Sequence, residues 1–461
     1  MTVLALLASL ALLAGPVAGT PTIPYQSFRL DNGLHVIVSE DRTAPLVGVD
    51  VTYDVGSKNE KPGRTGFAHL FEHLMFQGTA HLPKGEADRL VEAAGGSANG
   101  STSPDRTEYW ELVPSNALEQ MLFVESDRMG FLLPTLDQEK LDNQREVVRN
   151  ERRQNFEMQP YGLAFKVLQE NLWDPQFPYH WPTIGSHEDL QAATLADVRE
   201  FFRRYYGPGN ASLAIVGDVD PARARAMAER WFAAIPAGQP VERKFPAPAA
   251  LAAEKRVTLE DQVQLPRLYL AWQSPREYAE GDAALDLAGE VLSSGKSARL
   301  VKRLVMDERI AQSVMAGQQG MALAGMFLVI ATPKPGQELR RLEREIDEEI
   351  ARLAREGPTA EELQRAKNKV ESQMIFGLEP VGGFGGRAAT LNAYYWETGD
   401  PGYFGKDLAR YQAVTPLAVR DAVARWLRPD ARVALSVVPR APAAGPPPRE
   451  GPAPRGGEEG R

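Results

Sequence analysis

Apolar and polar positions along the chain alternate between two periods. Asp31-Asn32-Gly33 is a turn signal, and the LHVIVS after it reads as a strand. Val47, Val49, Val51 and Tyr53 alternate along a second strand. Gly63 to Gly78 reads as a turn and a helix, 107–113 as a strand and 116–130 as a helix. A longer helical pattern runs from about Leu136 to Phe156. A helix over 195–206 then passes through a Gly-Pro-Gly turn into the strand ASLAIVGDVD, with a helix over 221–233 behind it. Residues 237–255 are rich in Pro and Ala and lack periodicity, which marks a linker. The order then restarts: strand 265–273, helix 283–293, strand 326–332, helices near 336–355 and 359–375, and a strand over 432–438.

The restart is a repeat. FAHLFEHLMFQG (67–78) and ALDLAGEVLSSG (284–295) share their apolar positions and final glycine, and EKLDNQREVVRNE (139–151) resembles EELQRAKNKVE (361–371). Two halves of about 200 residues, 20–236 and 256–440, fit the duplication of one α+β unit. In the second copy, Asp286 and Glu290 stand where the first has histidines, so chemistry at this position belongs to the first copy.

Composition narrows what that chemistry is. The chain has 461 residues, 43% hydrophobic and 25% charged, ordinary for a soluble protein of two or three domains. Lys+Arg 52 against Asp+Glu 61 leaves a net charge of −9, which argues against a general nucleic-acid binder. Cysteine is absent, so disulfides, thiol nucleophiles and thiolate metal sites are excluded. Any metal must be held by His, Asp and Glu, and there are 6 histidines. Residues 1–19 have the apolar run and small residues of a signal peptide, though no Lys or Arg precedes the run; a periplasmic or secreted protein is expected. No later segment is long and apolar enough for a membrane span. Residues 441–461 are Pro, Gly and charge and are expected to be disordered.

His69 and His73 are four residues apart on the first of these helices, so both imidazoles leave one face, one turn apart. That pair can hold one zinc ion, with Glu72 at the rim to reach a water without ligating the metal. Thr65 is positioned to cap the helix. A third ligand is required, and Glu151 shares a face with Leu141, Gln144, Val147 and Val148, while Arg145, Glu146, Arg149 and Arg152 spread around the remainder. Periodicity alone leaves Glu151 either an inward carboxylate paired with zinc or an exposed glutamate on a charged helix. Zinc would make a water acidic near neutral pH, and Glu72 would take its proton and return it to the leaving amine of a cut peptide.

H-x-x-E-H with a distal glutamate resembles the inverted-zincin metallopeptidases of the pitrilysin, insulin-degrading enzyme and mitochondrial processing peptidase family, in its short two-domain bacterial form. TGFAHLFEHLMFQGT is similar to that family's metal helix, VVRNERRQNFE to the segment carrying the third ligand, and GGSANGSTSPDRTEYW to its glycine-rich edge strand. The resemblance implies Glu151 as the third zinc ligand. It implies two units, each a mostly antiparallel sheet with helices packed on one side, and a chamber of four units. A second chain would complete that chamber, as a homodimer or a heterodimer with a related chain. It implies peptide substrates that pair with residues 96–102, near Asn99. Two positions depart from the family pattern: Gln144 stands where a second glutamate is common, and Ser101 where an aromatic is expected. Arg387 and Tyr394, seven apart after a run of glycines, match the family's pair that holds substrate from the opposite half of the chamber. The competing reading is a non-catalytic or partner-dependent assembly subunit of such a peptidase.

Overall fold

The computed structural model describes residues 21–440; the expected signal segment and the C-terminal tail lie outside the described residues. Gly33 takes a φ of 94° in the Asp31-Asn32-Gly33 turn, a conformation glycine adopts without strain. The turn folds β1 (Gln26–Arg29) back on β2 (His35–Glu40), antiparallel. The first sheet continues with β3 (Leu46–Tyr53), β4 (Ser97–Thr102), β5 (Thr107–Pro114) and β6 (Ala211–Gly217), in the order β1-β2-β6-β3-β5-β4. Its helices are α1 (Phe67–Leu74), α2 (Glu86–Ala93), α3 (Leu118–Phe131), α4 (Gln138–Arg152), α5 (Ala164–Leu172), α6 (His187–Ala192), α7 (Leu195–Tyr205) and α8 (Pro221–Phe232).

The second sheet holds β7 (Lys255–Asp261), β8 (Arg267–Ser274), β9 (Ala311–Gln319), β10 (Gly325–Pro333) and β11 (Val433–Pro439), in the order β7-β11-β8-β10-β9. Its helices are α9 (Asp282–Ser293), α10 (Leu339–Glu356), α11 (Ala360–Phe376), α12 (Arg387–Thr398), α13 (Phe404–Gln412) and α14 (Pro416–Trp426). Setting β1 aside, the two sheets have one topology. The parallel pair β2/β6 corresponds to β7/β11, and β3, β5 and β4 correspond to β8, β10 and β9 in pairing and sense. The expected α+β class and duplication are therefore what the chain folds into.

Each sheet packs its own helices on one face. In the first, Val36, Val47, Val49, Tyr109 and Ile215 meet α1, α3, α7 and α8. In the second, Leu270, Trp272, Phe327 and Val329 meet α9, α10 and α14. The opposite faces are covered reciprocally. Ala388, Leu391 and Tyr394 of α12 cover Ile37, Ala214 and Val216 of the first sheet. Ala164, Leu168 and Leu172 of α5 cover Tyr269, Leu328 and Leu435 of the second. This explains why β3 is buried on both faces although its sequence alternates. The second half also meets its outward polar positions: Asn392 donates to Asp50 Oδ1 (2.7 Å), which accepts as well from Thr52 of the same strand (2.8 Å).

Several elements differ from the sequence expectation. α4 ends at Arg152 and passes into a π-helical turn over Arg153–Glu157, rather than continuing to Phe156 as α-helix. The last residue of the aperiodic stretch, Lys255, already belongs to β7. β1, α2, α5, α6, α13, α14, β7 and β9 have no counterpart among the elements that periodicity predicts. Among the described residues no helix is long and apolar enough to cross a membrane.

Candidate functional site

α1 is fixed by its buried face: Phe67, Leu70, Phe71 and Leu74 enter the first core, and Phe71 packs on Tyr206 with ring centroids 4.3 Å apart. Its N-terminal amides are met by Glu60, whose carboxylate accepts from Gly66 N (2.9 Å) and Ala68 N (2.8 Å). Thr65 does not cap the helix as expected. Its hydroxyl donates to Asp189 (2.5 Å) and accepts from Ser186 N (3.1 Å), tying the entry of α1 to α6.

With that face buried, His69, Glu72 and His73 turn towards α4 and β4. α4 begins at Asp137, whose carboxylate accepts from Lys140 N (2.9 Å). Leu141, Gln144 and Val148 are buried, but Val147 is 41% exposed, so the inward stripe is narrower than the sequence pattern suggested. Glu151 extends that stripe. Its Oε2 lies 3.3 Å from His73 Nε2 and 3.8 Å from His69 Nε2. The ligand atoms of all three residues lie within 4.8 Å of one another, the one such cluster among the described residues. Four ligands arranged tetrahedrally at about 2.0–2.1 Å from a zinc ion stand roughly 3.3 Å apart, so the donor set fits that ion. The side chains remain 13%, 22% and 32% accessible, which leaves an open side for a fourth ligand.

The electrostatics of His69 and Glu151 suit metal ligation, while His73 is held by its acidic neighbours. Burial and the neighbouring His73 push His69 down to about 4, which keeps it a neutral donor. Burial alone would lower His73, but its bond to Glu151, the charge of Glu72 and a bond to Gln144 together raise it. The bond to His73 holds the Glu151 carboxyl below its ordinary value. Gln144 thus touches His73 as a neutral partner. Asn155, on the π-helical turn, donates to Glu151 Oε1 at 3.5 Å. Arg152, expected among the solvated charges, is instead buried; it bonds Glu157 (3.0 Å) and the Gly185 carbonyl, anchoring the end of α4.

Glu72 stands beside the cluster. Burial raises its pKa, opposed by a bond from Thr102, whose Oγ1 donates to Glu72 Oε2 at 2.6 Å. Thr102 was not singled out from the sequence; the alternation of residues along β4, which places it on the α1 side, was the available signal. β4 is the outermost strand, and Gly100 rests on Tyr109 and Phe76. Asn99 lies on the same strand, exposed, its Oδ1 accepting from Gly100 N (2.8 Å); its cross-strand neighbour is Trp110, on the face away from α1.

Arg387 and Tyr394 are not brought to His69, His73 and Glu151. Both lie on α12, behind the first sheet. Arg387 pairs with Asp41 (2.5 Å), and Tyr394 donates to Asp407 (3.0 Å). Tyr394 also lines a cavity of about 430 Å³ with Glu108, Glu277 and Glu397. In the second copy, Asp286 accepts from Tyr411 (2.7 Å) and joins no ligand cluster among the described residues.

Comparison with known proteins accords with this arrangement. Residues 35–178 match the model described as Insulinase (Peptidase family M16), and residues 192–370 match that described as Peptidase M16 inactive domain. The chain is 31% identical over 361 residues to the zinc protease PqqE of Helicobacter pylori, covering 77% of this chain and 80% of that protein. It is 24% identical over 382 residues to a probable mitochondrial-processing peptidase subunit beta of Arabidopsis thaliana, covering 80% and 69% respectively. The crystal structure of a protease from Helicobacter pylori superposes with a TM-score of 0.83 at 27% identity, over 91% of this chain and 100% of that one.

Proposed function

Because the chain belongs to peptidase family M16, the insulinase or pitrilysin family, we propose that it is a zinc-dependent endopeptidase that cuts unfolded peptides or small polypeptides. The observation that carries the reading is the convergence of His69 Nε2, His73 Nε2 and Glu151 Oε2 at separations suited to one tetrahedral ion, with Glu72 alongside. His69, His73 and Glu151 hold the ion. An ion held there would supply Lewis acidity to a water and to a peptide carbonyl. Glu72, restrained by Thr102, takes the proton and passes it to the departing amine. The peptide is held extended beside β4, by the backbone around Asn99. Residues 21–236 form the catalytic unit, 237–254 the linker and 255–440 the homologous, non-catalytic unit.

A second chain, identical or related, completes the working enzyme. Within one chain Arg387 and Tyr394 stand behind the first sheet, away from His69, His73 and Glu151 and bonded to Asp41 and Asp407, so a single chain does not bring the expected substrate-holding pair to the site. The name of the Arabidopsis relative, a subunit, favours the same arrangement. The apolar segment over 1–19 supports export to the periplasm or the exterior. The alternative reading, a partner-dependent or non-catalytic assembly subunit, draws on the match of 192–370 to an inactive domain.

Glu72→Gln tests the central reading. The variant is expected to retain one zinc per chain by elemental analysis and to lose hydrolysis of quenched fluorescent peptides, because only the proton acceptor is removed. Undiminished turnover would overturn the mechanism. Bound zinc without turnover in the native chain alone, regained on adding a related chain, would favour the subunit reading.

A further inference from the structure

Cross-strand neighbours in a sheet point to the same side. Asn99 of β4 stands opposite Trp110 of β5, and Trp110 opposite Asp50 of β3. Asp50 accepts a hydrogen bond from Asn392 of α12, so this row faces the second half of the chain. Over the row lies the glycine-rich segment 382–386 that leads into α12. Gly382 rests directly on Gly48, where a Cβ would come within 2.8 Å of its backbone, so the segment lies flat against the sheet. Phe384, between glycines, meets Trp110 edge-on, with centroids 5.3 Å apart and planes at 82°. Its ring is nonetheless 53% exposed. The residues of β4 on this face, Ser97, Asn99 and Ser101, are short; Trp110 itself is half-buried, and the exposed ring is that of Phe384. Two residues along, the row of Ser101, Glu108 and Thr52 is polar, and Ser101 donates to Glu108 (3.3 Å). The two rings are therefore bounded on that side by polar residues, while on the other side the row of Ser97, Leu112 and Gly48 continues the apolar surface through Leu112.

We propose that Phe384 and Trp110 form a side-chain subsite, in which a large apolar residue of a peptide paired with β4 at the level of Asn99 packs against the exposed ring of Phe384. This rests on the peptidase reading and adds the class of side chain selected; it also gives the second half a role in substrate choice within its own chain. Neighbouring strands are about 4.8 Å apart, so a strand added beyond β4 lies roughly 10 Å from β5. A large side chain on the peptide and the rings of Phe384 and Trp110 bridge that gap.

The test uses the full chain and peptides identical except for Phe, Leu, Ala or Lys, placed at each position in turn. Cleavage is measured as kcat and KM, and binding to the Glu72→Gln protein by fluorescence anisotropy. One position is expected to favour Phe and Leu over Ala by about 10- to 100-fold, mostly in KM or Kd. Phe384→Ala is expected to bring that ratio close to unity, and Phe384→Trp to restore it. A preference that Phe384→Ala leaves intact, or no position with an apolar preference, overturns the subsite. Binding with a Phe384-dependent preference, without cleavage by the native protein either alone or with a related chain, sinks the hydrolytic reading and leaves the subsite standing. Cleavage indifferent to Phe384 does the reverse, and peptides neither bound nor cut overturn both.

Discussion

Thr102 holds one oxygen of Glu72 at 2.6 Å and leaves the other free to face the metal ligands. Removing that hydroxyl in Thr102→Val leaves a buried carboxylate free to rotate. The expected result is a fall in kcat of about 10- to 100-fold with KM and zinc content retained, and recovery in Thr102→Ser; steady-state kinetics with metal analysis checks it. The roles at this scale were unequally legible. His69, Glu72 and His73 are readable because helical spacing alone puts them on one face. Glu151 is readable only in part. Val147 fits the same sequence pattern yet lies exposed, because the contact of α4 is narrow and nothing in the spacing says where it stops. Thr102 stayed hidden because its role depends on which side of β4 faces α1, and the pairing register of β4 with β5 sets that.

At the level of elements, β4 joins the two parts of the site: it carries Thr102 towards Glu72 and leaves its outer edge unpaired. Gly100 makes this possible, since a Cβ there would lie 3.1 Å from Tyr109 and 3.2 Å from Phe76. Gly100→Val is therefore expected to destabilise the chain by about 1–3 kcal/mol and to shift the edge strand outward, lowering turnover; urea denaturation and hydrogen exchange over residues 97–102 check both effects. The elements that periodicity missed have a common physical reason. β7 and β9 lie at the two edges of their sheet, so their alternation is blurred by exposed polar residues. α5 packs on the sheet of the other half, and a sequence pattern does not specify which surface an apolar face will meet.

Across the whole molecule, the exchange of α5 and α12 makes the halves interdependent. Leu168 is fully buried in α5, against the second sheet. Leu168→Ala is expected to cost about 2–5 kcal/mol and to lower a single unfolding transition shared by both halves, seen by calorimetry, rather than splitting it. The seam is also sensitive to pH. Burial, with the charge of Glu108, pushes Asp50 up to about 7, and one of its oxygens has no partner. The folded chain thus keeps a proton that the unfolded chain releases near its ordinary value of 3.8. The stability this contributes is complete below that value and is lost as pH rises through about 7. Asp50→Asn, which cannot ionise, is expected to flatten that decline, checked by urea midpoints from about pH 4 to about pH 8.

Reciprocal covering also restricts motion. Swinging one half away from the other would strip α12 from β6 and α5 from β8, exposing two apolar sheet faces at once. Each chain is therefore expected to move as one stiff block, so the proposed two-chain enzyme would open between its chains rather than between the halves of one chain.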